Sequence, residues 1–313
     1  MSWATRTIRS SLFGIVDAIA NGYCHQGRHH FLDRSTGSDR LVMILAGWKE
    51  ALWPATLARI ARFAPAGPAG LDVCLVCPGR RSDALDRWAA NHGWSVLTTA
   101  SRRPGLGLNL AVARHPQARW LFKLDEDIVI GEGFFDRLIA GHQRIEDEGS
   151  YRLGFLAPLL NLNGHGYVPF LRLVGQDRAF AERFQGLPRA CGGIPVFHDA
   201  AAARFIWEVS LPFDGTAELA QARPWEWSAI PHRFSIGAIL VRRDRLLALG
   251  GFRRSLLGPI LGHDEDRLCT ACMIHSLIMA CDHGVFAGHL GFAPQEAGLR
   301  DFLPTLIPRL LPP

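Results

Sequence analysis

Lysine is nearly absent from this 313-residue chain. Of 34 basic residues only Lys49 and Lys123 are lysines, so the formal charge of +5 and the pI near 9.0 rest on arginine. A bias towards arginine in coding accounts for most of that excess; the remainder suits phosphate-bearing ligands or an anionic membrane surface. No basic run carries interleaved aromatics, which argues against nucleic acid as a partner. No apolar run reaches the roughly 20 residues that cross a bilayer. The opening segment, MSWATRTIRSSLFGIVDAIANG, is interrupted by Asp17 and reads as an amphipathic helix rather than a cleaved leader. These absences point to a cytoplasmic protein, with peripheral contact at the inner membrane face as an option. Cysteine is sparse and odd in number, at seven. The two CxxC pairs, Cys74/Cys77 and Cys269/Cys272, lie too far apart for an ordinary zinc ribbon and read as small buried hydrophobes.

What is present is an alternation. LVMILAG (41–47) reads as a buried strand. WPATLARIARFA follows as a helix with Pro54 in its first turn. LDVCLVCPG is a second strand, and SDALDRWAANHG a helix with Ser82 as N-cap and Gly93 past its end. WSVLTT, LGLNLAVARH, ARWLFKL and EGFFDRLIAGHQRI continue the pattern as strand, helix, strand and helix. Four β-α repeats predict an α/β fold, a mostly parallel sheet with helices on both faces. The stretch 151–233 shows no regular period and reads as partly irregular. After it come a strand (FSIGAILVRR), a short helix (DRLLALGGF), an acid-started helix (LGHDEDRLCTACMIHSLIMAC) and a short strand (GVFAGHLGF). The proline-broken tail either packs on the core or touches a membrane. His25, His29 and His30 read as a solvated loop.

Two acid groups carry the chemistry. Asp125, Glu126 and Asp127 follow the fourth strand directly, and ligands of parallel sheets bind beyond the carboxyl ends of strands. Two carboxylates at DxD spacing suit Mg²⁺ or Mn²⁺ shared with substrate phosphates. His263, Asp264, Glu265 and Asp266 open the late helix, more polar residues than a cap requires.

In this order the motifs resemble the GT-A glycosyltransferases, in particular family 2, over about residues 41–291. The resemblance implies a Rossmann-like donor half and an acceptor-side half, a nucleotide-sugar donor with a UDP-sugar as the default, and Mn²⁺ or Mg²⁺. The acceptor is a glycan, a lipid-linked sugar or a small molecule. The loop after the first strand would meet the nucleotide, through Ala46 and Trp48. Asn109 in GLGLNLAVA matches a donor-side position. Asp125 and Asp127 match the metal-binding DxD, with Glu126 between them on the donor. His289 in VFAGHLGF matches a third metal ligand. Lys123 and Arg103 would add positive charge. Asp83 is the nearest acid where the family reads the base, because Cys77-Pro78-Gly79 occupies the usual aspartate position. The acidic pair holding the base of inverting members matches Glu265-Asp266 or, in another register, His263-Asp264. Asp264 reads as the N-cap, which leaves Asp266 as the first choice for base, with Glu265 beside it. Trp225 and Trp227 are candidates for sugar stacking or for packing.

The division that follows is an N-terminal helix and loop (1–40), a nucleotide-sugar half (41–150), an acceptor and catalytic half (151–292) and a tail (293–313). The rival reading takes LDEDIVI as the DxDx[TV] of haloacid dehalogenase-like phosphatases, with Asp125 as nucleophile and Asp127 as general acid. In that family the nucleophile ends the first strand of the domain.

Overall fold

The computed structural model describes residues 25–64, 70–253, 263–291 and 293–312, together with the backbone but not the side chains of His263 and Ala293. The expected N-terminal helix lies outside them. Ten strands form one sheet: β1 (His29–Leu32), β2 (Arg40–Leu45), β3 (Asp72–Pro78), β4 (Ser95–Thr99), β5 (Trp120–Asp125), β6 (Ile128–Ile130), β7 (Leu153–Leu160), β8 (Trp227–Ala229), β9 (Ala238–Arg242) and β10 (Ile278–His289). The order is β1-β4-β3-β2-β5-β9-β7-β10-β6, with β8 on the other partner edge of β10. β4, β3, β2 and β5 are mutually parallel. β9 runs against β5 and β7, and β10 runs with β7. Six strands therefore point one way, and the short β1, β6, β8 and β9 point the other, which gives the mixed, mostly parallel sheet expected.

Sequence explains the parallel half. β2, β3 and β5 are continuous apolar runs, as strands buried on both faces require. Helices α1 (Trp53–Phe63), α2 (Asp83–His92) and α3 (Pro104–Arg114) make the crossovers, and α4 (Phe134–Asp147) follows β6. Ser82 Oγ accepts from Leu85 N–H at the start of α2, and Gly93 closes it in the left-handed region at φ 68°. Chain order runs outward from β2 to β4 and then returns to β5. Right-handed crossovers thus place α1 and α2 on one face and α3 on the other. The reversal lies between β2 and β5, and ligands of open α/β sheets bind at such a point.

Three expectations are corrected. The stretch 151–233 is mostly regular: β7 has eight buried residues, and helices Tyr167–Leu173, Asp177–Phe184, Ala200–Val209 and Phe213–Ala222 follow. Pro158 and Gly154 hid a strand that is buried along its whole length. The late helix ends at Ile274, and IMAC belongs to a 12-residue β10 instead, since burial between β7 and its neighbours overrides local helical spacing. The N-terminal histidine stretch is not all loop, because His29 and His30 pair with β4.

The tail packs on the core. Leu299, Phe302, Leu306 and Leu310 are buried. Arg59 of α1, itself buried, donates to Leu310 O, Ile130 O and both oxygens of Asp214. Among the described residues no helix is long and apolar enough to cross a membrane.

Candidate active site

The turn Asp125-Glu126-Asp127 sits at the reversal point and is pinned by backbone on three sides. Asp125 N–H donates to Gly237 O, Glu126 N–H to Leu45 O, and Leu290 N–H to Asp127 O. The ends of β2 and β10 and the residue before β9 thus fix the three acids, which then point to different places.

Glu126 points inward. Its carboxylate accepts from Gly47 N–H (3.0 Å), Trp48 N–H (2.9 Å) and Trp53 Nε1–H (2.7 Å). Those bonds hold the loop after β2, where Gly47 adopts φ 132°, a conformation that side chains rarely tolerate. This corrects the expectation that Glu126 meets a donor: both of its oxygens are already engaged. The loop leaves Trp48 about half exposed at the mouth of the sheet, while Ala46 is buried with its N–H bound to Val76 O. Ala46 therefore contributes loop shape and no side-chain contact.

Asp125 and Asp127 each carry a lysine. Lys123 Nζ donates to Asp125 Oδ1 (2.7 Å) and to Ile236 O (2.7 Å), and is buried beneath the site. Lys49 Nζ donates to Asp127 Oδ2 (2.7 Å) and also lies 2.9 Å from Glu296. His289 Nε2 is 3.3 Å from the same Asp127 oxygen, and its Nδ1–H donates to Leu162 O (2.9 Å). Burial works to raise Asp127, but His289 and Lys49 outweigh it and hold the carboxyl well below the usual range. Asp125 moves upward, through burial and the neighbouring Asp127, against the pull of Lys123. Asp127 Oδ1 is buried without a hydrogen-bond partner.

The second acid group comes from helix His263–Ile274. Leu268, Cys269 and Cys272 form its buried stripe; Cys269 Sγ contacts Phe234, and Cys272 faces Gly154 of β7, where a Cβ would stand 2.4 Å from the sulfur. The CxxC is thus a packing seam. Glu265 lies three, four and seven residues before these positions, so it shares their face. Burial, then Asp264, with Lys123 opposing and Asp125 adding, push Glu265 up to about 7. Asp264 and Glu265 in turn act on Lys123. Both acid groups therefore act on Lys123.

Asp266, the expected base, does not share that face. Asp266 lies about 100° round the helix from Glu265. Its side chain is about half exposed, and its Oδ1 is 2.6 Å from Arg233 Nε, a contact off the hydrogen-bond line. Arg233 also donates to Glu265 (3.0 Å). Asp264 sits inside the first turn, since the helix already includes His263.

The remaining candidates scatter. Asn109 clamps Phe252 through both its amide groups (2.8 Å each), tying α3 to the Gly-Gly-Phe turn, and so works as a brace. Asp83 is exposed in the first turn of α2, and Arg103 is the half-buried N-cap of α3. Trp225 lies under Arg144 of the last turn of α4, and Trp227 packs edge-on against Tyr151 just before β7. Both tryptophans thus have packing partners within the protein. Sequence reasoning missed Lys49 and Arg233. The rarity of lysine was a usable signal for the first; nothing in the local sequence marked the second.

Among the described residues no three His, Cys, Asp or Glu side chains converge on one metal-sized point. The expected set of Asp125, Asp127 and His289 is only partly together. Asp127 and His289 touch, and Asp125 is drawn aside by Lys123. The donor chemistry nonetheless fits a divalent cation: a buried carboxylate with an orphan oxygen, beside an imidazole oriented by a backbone carbonyl.

No family model matches the chain, and no curated protein matches it. Among solved structures it is similar to the mannosyltransferase PcManGT from Pyrobaculum calidifontis in complex with GDP-Man and Mn²⁺, at 16% identity and a TM-score of 0.45. The match covers 80% of this chain and 56% of that one, so the chain spans little more than half of its neighbour's length.

Proposed function

We propose that the chain is a nucleotide-sugar-dependent glycosyltransferase of GT-A type, as its motifs resemble, with the donor diphosphate at Asp125–Asp127 and the acceptor base at the start of helix His263–Ile274. The observation that carries this is a pair of acid groups that both act on Lys123 at the strand reversal, one group around an orphan carboxylate oxygen and the other with a carboxyl raised to about 7. The first suits a cation-held leaving group, the second a general base at neutral pH. Asp127 and His289, with the outer oxygen of Asp125, would hold the cation, which supplies neutralisation of the departing diphosphate. Glu265 takes the proton from the acceptor hydroxyl, and Arg233 orients that carboxylate. Trp48 offers an exposed ring to the donor's base or sugar. Lys123 stays beneath, fixing Asp125 and linking the two groups. An inverting displacement follows from a base facing the leaving group.

Phosphatase chemistry is disfavoured, because Asp125 ends the fourth strand of the parallel series and Lys123 already holds one of its oxygens. The test is a thermal-shift screen of nucleoside diphosphates and nucleotide sugars with Mn²⁺; GDP-mannose, present in the solved neighbour, belongs in it beside the UDP-sugars. A ligand at about 100 times its Kd should stabilise by about 2.7 kcal/mol, and Asp127→Ala should remove the shift. No shift with any nucleotide would sink the proposal.

A further inference from the structure

The two lysines of this chain both sit on the DxD carboxylates. Every other basic position in the sequence carries arginine. The exception has a physical meaning. Arginine grips a carboxylate with a planar fork, whereas an ammonium is a compact point charge on a flexible stem that can pivot between anions. Lys123 is fixed, being buried and bound to Asp125 and the Ile236 carbonyl. Lys49 is less buried: it lies in the loop after β2 and spans Asp127 (2.7 Å) and Glu296 (2.9 Å). It occupies the oxygen of Asp127 that His289 also approaches, where a divalent cation would bind. The other oxygen of Asp127 has no partner.

We propose that Lys49 is a tethered counter-ion of the donor diphosphate. In the free protein it neutralises Asp127. When a divalent cation takes Asp127, the ammonium is released to the diphosphate, and Glu296 keeps it from leaving the site. Lys49 is then a competitor of the metal and a partner of the nucleotide. This rests on the glycosyltransferase reading and adds to it a second cation, supplied by the chain.

Opposite changes in two affinities separate this from a merely structural role. Mn²⁺ binding is measured alone by electron paramagnetic resonance, and nucleoside diphosphate binding by calorimetry in saturating Mn²⁺, on the full chain. Lys49→Met should bind Mn²⁺ about tenfold more tightly, because the competing charge is gone. The same variant should bind the nucleoside diphosphate about tenfold or more weakly. Lys49→Gln, which keeps a hydrogen bond to Asp127 and the packing of the stem, should show the same pair of changes and serves if the Met variant does not fold. Weaker Mn²⁺ binding in a folded variant, or unchanged affinity for either ligand, overturns the role given to Lys49. If the unaltered protein binds no nucleoside diphosphate, the glycosyltransferase reading fails, and this inference with it.

Discussion

Glu126 is the middle acid of DED, and its removal separates a ligand contact from a brace. Consider Glu126→Gln. The carboxylate accepts three N–H groups, two on one oxygen and one on the other. Glutamine keeps one carbonyl oxygen, which can retain Gly47 N–H and Trp53 Nε1–H. Its NH₂ then faces Trp48 N–H, donor against donor. One unmatched donor costs about 1–3 kcal/mol. The two surviving bonds lose their charge assistance, roughly halving each. The expected total is about 2–4 kcal/mol. With an unfolding entropy of about 2.1 cal/mol/K per residue over 313 residues, the melting temperature should fall by about 3–6 °C. Urea unfolding followed by tryptophan fluorescence measures the energy, and calorimetry with nucleoside diphosphate measures the site. Because the loop carrying Trp48 and Lys49 loses its anchor, nucleotide affinity should fall only modestly. An unchanged midpoint with nucleotide binding abolished would show that Glu126 faces the ligand after all.

The base assignment predicts that Glu265→Gln lowers turnover by about 10²–10⁴-fold while Asp266→Asn costs less than about tenfold; the reverse ranking refutes it. The base must be ionised, so kcat/KM should rise with pH through a limb at or below about 7, the value of Glu265 before a bound cation draws it down; a limb above pH 8 would contradict this. Burial holds His142 near 4 and His165 near 3, below the ordinary 6.5. These depressed values mean that the stability each contributes is present above pH 6.5 and is lost as pH falls through the folded value, about 3 kcal/mol for His142. The urea midpoint should therefore drop between pH 6.5 and 4, and His142→Leu should flatten that slope; an unchanged slope refutes it.

The parallel half was legible because local signals agreed with tertiary placement. Ser82, Gly93 and Pro54 mark ends that exist, and the apolar runs at β2, β3 and β5 are buried on both faces. The second half was obscure where the sheet overrode local preference. Pro158 lies inside a buried strand, and IMAC reads as helix but pairs with β7. At the site, the positions of Asp125 and Asp127 were readable from strand ends. The direction of each acid was not, because it depends on partners remote in sequence: Trp53 for Glu126, Lys49 for Asp127, Arg233 for Asp266. Glu265 could have been ranked above Asp266 from Leu268, Cys269 and Cys272, whose spacing reveals the inward face.

Six carboxylates gather around these cations and would repel one another without relief: Asp125, Asp127, Asp264, Glu265, Asp266 and Glu296. Three cations relieve them, each acting on more than one acid. Lys49 joins Asp127 to Glu296, Arg233 joins Glu265 to Asp266, and Lys123 binds Asp125 while acting on Asp264 and Glu265. His289 lies beside Asp127, whose pull outweighs the burial that works to lower the imidazole. The relief is incomplete, since Glu265 still stands near 7. A diphosphate arriving beside these acids would bring more negative charge to a place with no surplus of positive charge. Its binding must therefore be coupled either to arrival of a cation or to redirection of one already present. Arg233 is held by two acids of helix His263–Ile274, and Lys123 is buried. Among the described residues Lys49 is the one cation that lies on the DxD acids and is not fully buried, and the loop that carries it is the one Glu126 holds in place.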